Sequence, residues 1–290
     1  MRTYTFVIEK EYDGNKACDY LRRVQKFSYA LIVKLRHNPN SMILDGSPIR
    51  TIDPVKSGSQ LVVTIPEKES DILPNPNLNL SILFEDEDIM VIDKPPFMPV
   101  HPSKGHQDDT VANFCICHNP NSIFRVIGRL DKDTSGLIIV AKNIHSAAIL
   151  TDSPIEKRYF AIAEGIPDES HMTIDAPICD SDPMSCRRYV GNEGKPAVTE
   201  YFIKASGEKI FLADVRPKTG RTHQIRVHFS YLGYPLCGDS LYGGKTDLIV
   251  RNALHRYYLS FTHPITGEKM EFESPLPTDM KKLTEQMRFV

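Results

Sequence analysis

The chain has 290 residues, 35 basic and 37 acidic side chains, a net charge of −2, 41% hydrophobic and 25% charged residues. That is the balance of an ordinary soluble globular protein, long enough for one large domain or two smaller ones. It excludes a membrane-spanning helix, because no run approaches the ~20 apolar residues a bilayer core requires, and the six cysteines are too scattered for a disulfide framework.

Residues 1–70 are expected to form a small module. The first ten residues lack the apolar core of a signal peptide, so the cytoplasm is the expected location. Ala17, Leu21 and Val24 recur at helical spacing, and Ser28 is placed to cap a second helix carrying Leu31, Ile32 and Leu35 on one face. Asn38-Pro39-Asn40 breaks that helix. A strand at 42–44 then runs into the Asp45-Gly46 turn, and residues 60–65 supply a closing strand. Residues 16–36 hold Lys16, Arg22, Arg23, Lys26, Lys34 and Arg36 against the single acid Asp19. Such a stretch suits a phosphate-contacting face as well as a merely solvated one. Residues 71–80, with two prolines and three asparagines, read as an extended linker with little to bury.

Residues 81–290 mix strands and helices without a strict βαβ repeat. Strands are expected at 82–84, 89–92, 137–141, 159–163, 199–203, 210–215 and 258–261, and helices at 111–117, 144–150 and 222–232, the last stopped by Gly233. This pattern predicts an α+β domain around a mixed, largely antiparallel sheet flanked by helices and loops. Cys115-Ile116-Cys117-His118 lacks a second ligand pair at zinc spacing and reads as buried thiols. No GxGxxG or Walker A loop is present.

The chemistry-bearing segment is Arg129-Leu130-Asp131-Lys132-Asp133-Thr134-Ser135-Gly136, which leads into the apolar run Leu137-Ile138-Ile139-Val140. A carboxylate is a weak nucleophile that needs fixed positioning and a nearby cation. Taken alone, Asp131 fits a cap or turn residue equally well. Asp-x-Asp-x-Thr also resembles the nucleophile loop of haloacid-dehalogenase-type phosphatases. That loop should follow a run of about four apolar residues, which Gly128 and Arg129 interrupt, and it needs a later acidic pair. Residues 215–238 contain Arg216, Lys218, Arg221 and Arg226 and no acid at all, and Asp239 stands alone.

The ordered segments around Asp131 decide between these readings. IMVIDKPPFMPVHPS at 89–103, RLDKDTSG at 129–136, KRYFAIAEG at 157–165, GKPAVT at 194–199, TGRTHQIRVH at 219–228, GYPLCGD at 233–239 with YGG at 242–244, ALH at 253–255 and His263-Pro264 together closely resemble the RluA family of pseudouridine synthases over roughly residues 81–277. The resemblance implies a cofactor-free, metal-free isomerisation of uridine to pseudouridine in structured RNA. Ribosomal RNA is the expected substrate and transfer RNA an alternative. It further implies a flipped-out nucleotide, Asp131 as nucleophile, Tyr159 stacking on the base or moving a proton, and Arg226 paired with Asp131. Arg129, Lys94, Arg221 and His223 fall in matched segments and are expected at the RNA. Where the family pattern has His before Arg-Leu-Asp, this chain has Gly128, which puts in doubt any inference about the RNA partner drawn from that position. More weakly, residues 1–70 resemble the alpha-L RNA-binding module of a small-subunit ribosomal protein, which implies phosphate contacts from Arg22, Arg23 and Lys26. Nothing in the sequence calls for a membrane, an obligate protein partner or more than a monomer. An RNA chaperone that has lost turnover is the non-enzymatic alternative, but binding alone would not need Asp131, Tyr159 and Arg226 together.

Overall fold

A computed structural model describes residues 2–65, 70–120, 123–180, 187–285 and 287–289. Its first unit contains β1 (Arg2–Val7), α1 (Ala17–Arg23), α2 (Tyr29–Arg36), β2 (Met42–Leu44), β3 (Ser47–Pro48) and β4 (Gln60–Ile65), with a four-stranded antiparallel sheet in the order β1-β4-β2-β3. Ser28 caps α2 as the sequence predicts, its Oγ accepting from the Leu31 N–H at 3.2 Å. Leu31, Ile32 and Leu35 then bury against Tyr20, Leu21, Leu61 and Val63. Strand β1 escapes the sequence reading because only Tyr4 of its six residues is buried.

The second unit begins with β5 (Ser81–Glu85) and β6 (Ile89–Lys94), followed by α3 (Val111–His118), β7 (Arg125–Ile127), β8 (Ser135–Ala141), α4 (Ile144–Asp152) and β9 (Glu156–Glu164). It continues with β10 (His171–Asp175), β11 (Ile178–Asp180), β12 (Arg188–Val190), β13 (Val198–Ser206), β14 (Ile210–Pro217), α5 (Gln224–Tyr231), β15 (Leu254–Thr262), β16 (Lys269–Glu273), α6 (Thr278–Thr284) and β17 (Arg288–Phe289). A large sheet runs β10-β13-β14-β9-β15-β8-β6-β5, with β16 on β15, β17 on β13 and β7 on β8. The predicted α+β class and mixed, largely antiparallel sheet are observed.

Strand β8 is the spine of this sheet, with every residue buried. Its period of two sends Ile138 and Val140 into one core layer and Leu137, Ile139 and Ala141 into another, which is why the sequence shows a continuous apolar run rather than an alternating one. Each such side chain contributes roughly 1.5–3 kcal/mol of burial. Among the described strands, β8 and β15 form the one parallel pairing, with Ser135 beside His255 and Gly136 beside Arg256. A Cβ at Gly136 would stand 2.3 Å from the Arg256 carbonyl oxygen, so only glycine permits this approach. The junction sets the loop ending at β8 against β15 and β9, where the expected chemistry lies.

Residues 71–80, expected as an extended linker, instead turn at Asn75–Leu78, where the Leu78 N–H reaches the Asn75 carbonyl at 3.4 Å, and they are not free. Leu80 is buried, and the Asn113 side chain on α3 donates to the Leu73 carbonyl at 2.7 Å. The first unit seats on α4: the Tyr4 hydroxyl donates to Asn143 Oδ1 at 3.0 Å, Arg2 reaches Asp88 at 3.0 Å, and His145 packs between Tyr4 and Phe27. Burial pushes the His145 imidazole down to about 4. No helix among the described residues is long and apolar enough to cross a membrane.

Candidate active site

The loop from Gly128 to Thr134 is held by its backbone. Buried Arg256 donates from Nη1 to the Gly128 carbonyl at 2.9 Å and from Nη2 to the Arg129 carbonyl at 3.2 Å. Lys94, with no exposed surface, donates to the carbonyls of Pro95, Met98 and Lys132 at 2.7–3.0 Å. Thr134 is tied to Asn252 at 3.1 Å, and the Thr134 N–H closes a turn onto the Asp131 carbonyl at 3.2 Å. Cationic donors that satisfy buried carbonyls fix a loop more firmly than neutral ones.

At the tip of this loop Asp131 keeps its side chain 28% exposed. Its Oδ2 accepts from Arg226 Nη1 at 2.9 Å, while Oδ1 accepts no hydrogen bond from the described residues. Arg226, on α5, is 7% exposed and is gripped from behind by Asp239, Nε to Oδ2 at 2.6 Å and Nη2 to Oδ1 at 2.8 Å. Burial opposes the guanidinium charge, but Asp239 and Asp131 outweigh it and raise the arginine's pKa. Asp239, which the sequence leaves alone, is therefore the back wall of the ion pair.

Helix α5 starts at Gln224, two residues later than the sequence pattern predicts, because His223 takes a left-handed conformation with φ 57°. The Gln224 side chain fastens the preceding turn, accepting from the Arg221 N–H at 3.0 Å and the Thr219 hydroxyl at 2.7 Å and donating to Val198 O at 2.9 Å. The strained turn aims the His223 ring inward, with Nδ1 2.8 Å from the Tyr242 hydroxyl and Nε2 3.7 Å from Asp131 Oδ2. Tyr242 also accepts from the Arg188 N–H at 2.9 Å, which anchors its hydroxyl beside His223. Burial lowers the His223 pKa against the pull of Asp131.

Tyr159 on β9 lies directly opposite Arg256 on β15, and Arg256 Nε donates to its hydroxyl oxygen at 2.8 Å. The phenolic proton is thereby left for an acceptor in the cleft. Asp131, Tyr159, Arg226, His223, Arg129 and Arg221 all line one cleft of about 660 Å³. Arg129 and Arg221 are exposed at it. Lys94 is not available to it, because its ammonium is spent on the carbonyls beneath the loop; burial, with Arg251 adding and Asp133 and Asp131 opposing, pushes it down to about 7. Arg22, Arg23 and Lys26 are exposed on the first unit and line no part of the cleft. Sequence reasoning missed Arg256 and the grip of Asp239. Arg256 directly follows the quoted ALH segment and Asp239 closes GYPLCGD, so both stood within reach of the motifs.

A family model for RNA pseudouridylate synthase matches residues 88–231, which carry Asp131, Tyr159 and Arg226. The protein named uncharacterized RNA pseudouridine synthase YjbO of Bacillus subtilis (strain 168) is 38% identical over 265 residues, covering 88% of this chain and 94% of its own. The chain belongs to the RNA pseudouridine synthase family. The synthase is also 38% identical, over 85% of its length and 84% of the relative's, to ribosomal large subunit pseudouridine synthase D of Pseudomonas aeruginosa. Among solved structures, human RNA pseudouridylate synthase domain containing 1 superposes with a TM-score of 0.61 at 28% identity, covering 75% of the synthase and 91% of the human chain. Like those relatives, the synthase is an RNA-modifying isomerase of the RluA type.

Proposed function

We propose that the synthase isomerises specific uridines in large-subunit ribosomal RNA, with Asp131 as the nucleophile. The observation that carries this reading is the division of labour at one carboxylate: Oδ2 is fixed by Arg226 while Oδ1 accepts no hydrogen bond from the described residues, and Asp131 lines the cleft. The substrate class comes from the relatives named for the ribosomal large subunit.

The target nucleotide leaves its stack and enters the cleft. Asp131 adds to the ribose anomeric carbon as the N1–C1′ bond breaks, and the electron pair of that bond leaves with the uracil. The base then turns so that C5 faces C1′. The new C5–C1′ bond expels the carboxylate, the C5 proton is lost and N1 takes up a proton. Atoms balance without a co-reactant. Addition to the base instead of the sugar uses the same carboxylate. Tyr159 supplies a ring for stacking and a hydroxyl within reach of a moving proton. Arg129 and Arg221 meet phosphate at the cleft, and the exposed Arg22, Arg23 and Lys26 extend that contact on the first unit, read as an alpha-L-like module.

The test is pseudouridine mapping of total RNA with and without the active gene, complemented by Asp131→Asn. The variant is expected to leave folding and RNA binding near wild type and to abolish pseudouridine formation. Full activity of Asp131→Asn would overturn the assignment of the nucleophile, and a modified transfer RNA in place of ribosomal RNA would overturn the substrate.

A further inference from the structure

Lys157 stands two residues before Tyr159 on β9, so both side chains leave the same face of the strand and enter the cleft about 7 Å apart along it. Tyr159 finds a partner in Arg256. Lys157 finds none: it makes no hydrogen bond or ion pair with the described residues, and the charge that acts on it is the like charge of Arg256. Burial and that repulsion push its ammonium down to about 8. A partly buried cation with no counter-charge is destabilising, so it persists where something else supplies the anion.

The wall facing it is Gly128, the position at which this chain departs from the family pattern. A Cβ there would stand 3.2 Å from Lys157 Nζ and 3.3 Å from Cε, and its φ of +67° disfavours any side chain. The ammonium therefore occupies a space that exists because residue 128 has no side chain. That space adjoins the loop carrying Asp131, in the cleft that Tyr159 and the exposed Arg129 also line. The separation of Lys157 from Tyr159 is on the scale of the separation between a nucleobase and its own backbone phosphate.

We propose that Lys157 is a phosphodiester-binding residue, taking the backbone phosphate beside the flipped uridine, and that Gly128 keeps this anion subsite open. The proposal rests on the reading of the cleft as a uridine site in RNA.

The test compares wild type with Lys157→Met, Lys157→Arg and Gly128→Ala on an unmodified large-subunit ribosomal RNA transcript and on total RNA. Losing one charge-assisted contact is expected to raise KM and Kd about tenfold in Lys157→Met, with kcat nearly unchanged. Its plot of log affinity against log salt should be shallower by about 0.7, the share of one phosphate contact on a single strand. Lys157→Arg should stay near wild type, and Gly128→Ala should raise KM by crowding the ammonium. Removing an unpaired charge should leave the melting temperature of free Lys157→Met at or above wild type, which separates lost binding from lost folding. An unchanged salt slope, as contact with a neutral uracil carbonyl would give, overturns the proposal. So does a fall in kcat with KM intact, which would place Lys157 in the chemical step. If wild type makes no pseudouridine on either RNA, the reading beneath the proposal fails with it; if wild type is active and Lys157→Met matches it, only the proposal falls.

Discussion

Asp239 grips Arg226 with two parallel hydrogen bonds of 2.6 and 2.8 Å, and this leaves Nη1 of the guanidinium to reach Asp131. Direction is the consequence. A planar fork held at one edge can present the remaining nitrogen in only one place, a property lysine does not share. Asp239 thus positions Asp131 without touching the cleft itself.

Asp239→Asn keeps the shape of the grip but gives up its charge and one of its acceptors. The expected result is a kcat lowered by roughly 10–100-fold, the scale of an outer partner that orients a reactive group, with KM little changed. Asp239→Ala leaves a buried guanidinium short of its partner and should cost about 3–5 kcal/mol in urea unfolding. A kcat within a factor of two of wild type in Asp239→Asn would show that the grip does not orient Asp131 for the reaction.

Arg256 carries a second expectation. Its side chain serves the Tyr159 hydroxyl and the carbonyls of Gly128, Arg129 and Leu137 at 2.8–3.2 Å while only 2% exposed. Arg256→Met would strand those carbonyls, so unfolding free energy should fall by roughly 3–5 kcal/mol. Activity should fall further than in Tyr159→Phe, which removes one contact and leaves the loop held. Equal stability of Arg256→Met and wild type in urea titrations would contradict the clamp.

The sequence exposed the spine of the fold and the tip of the site, and obscured what lies behind them. Strand β8 was legible because burial on both faces leaves an unbroken apolar run. Strands β1 and β16 were not, because each exposes every second residue or more, and β16 also intersperses charges. Asp131, Tyr159 and Arg226 became legible through ordered motifs. Their supports depend on contacts across the chain, such as Arg256 to Gly128 over 128 positions, which no local spacing encodes. Lys94 and Lys157 show the same limit. Each lies on a strand in a matched segment, yet one is folded inward onto carbonyls and the other faces the cleft. Only the packed sheet distinguishes them.

The seating of the first unit predicts acid sensitivity. His145 is 3% exposed, packed between Tyr4 and Phe27, and pushed by burial down to about 4 from the 6.5 of a free imidazole. Between those values the unfolded chain binds a proton that the folded chain refuses, so stability is present above pH 6.5 and lost as pH falls toward 4. The shift is worth on the order of 3 kcal/mol when the loss is complete. His255, also buried and pushed down to about 4, titrates over the same window. His145→Phe keeps an aromatic ring between Tyr4 and Phe27 and removes its titration. The variant should therefore lose less unfolding free energy than wild type between pH 6.5 and pH 4, by up to about 3 kcal/mol, measured by urea titration at each pH. Parallel losses in the two proteins would mean that His145 accepts its proton without disturbing the contact between the units.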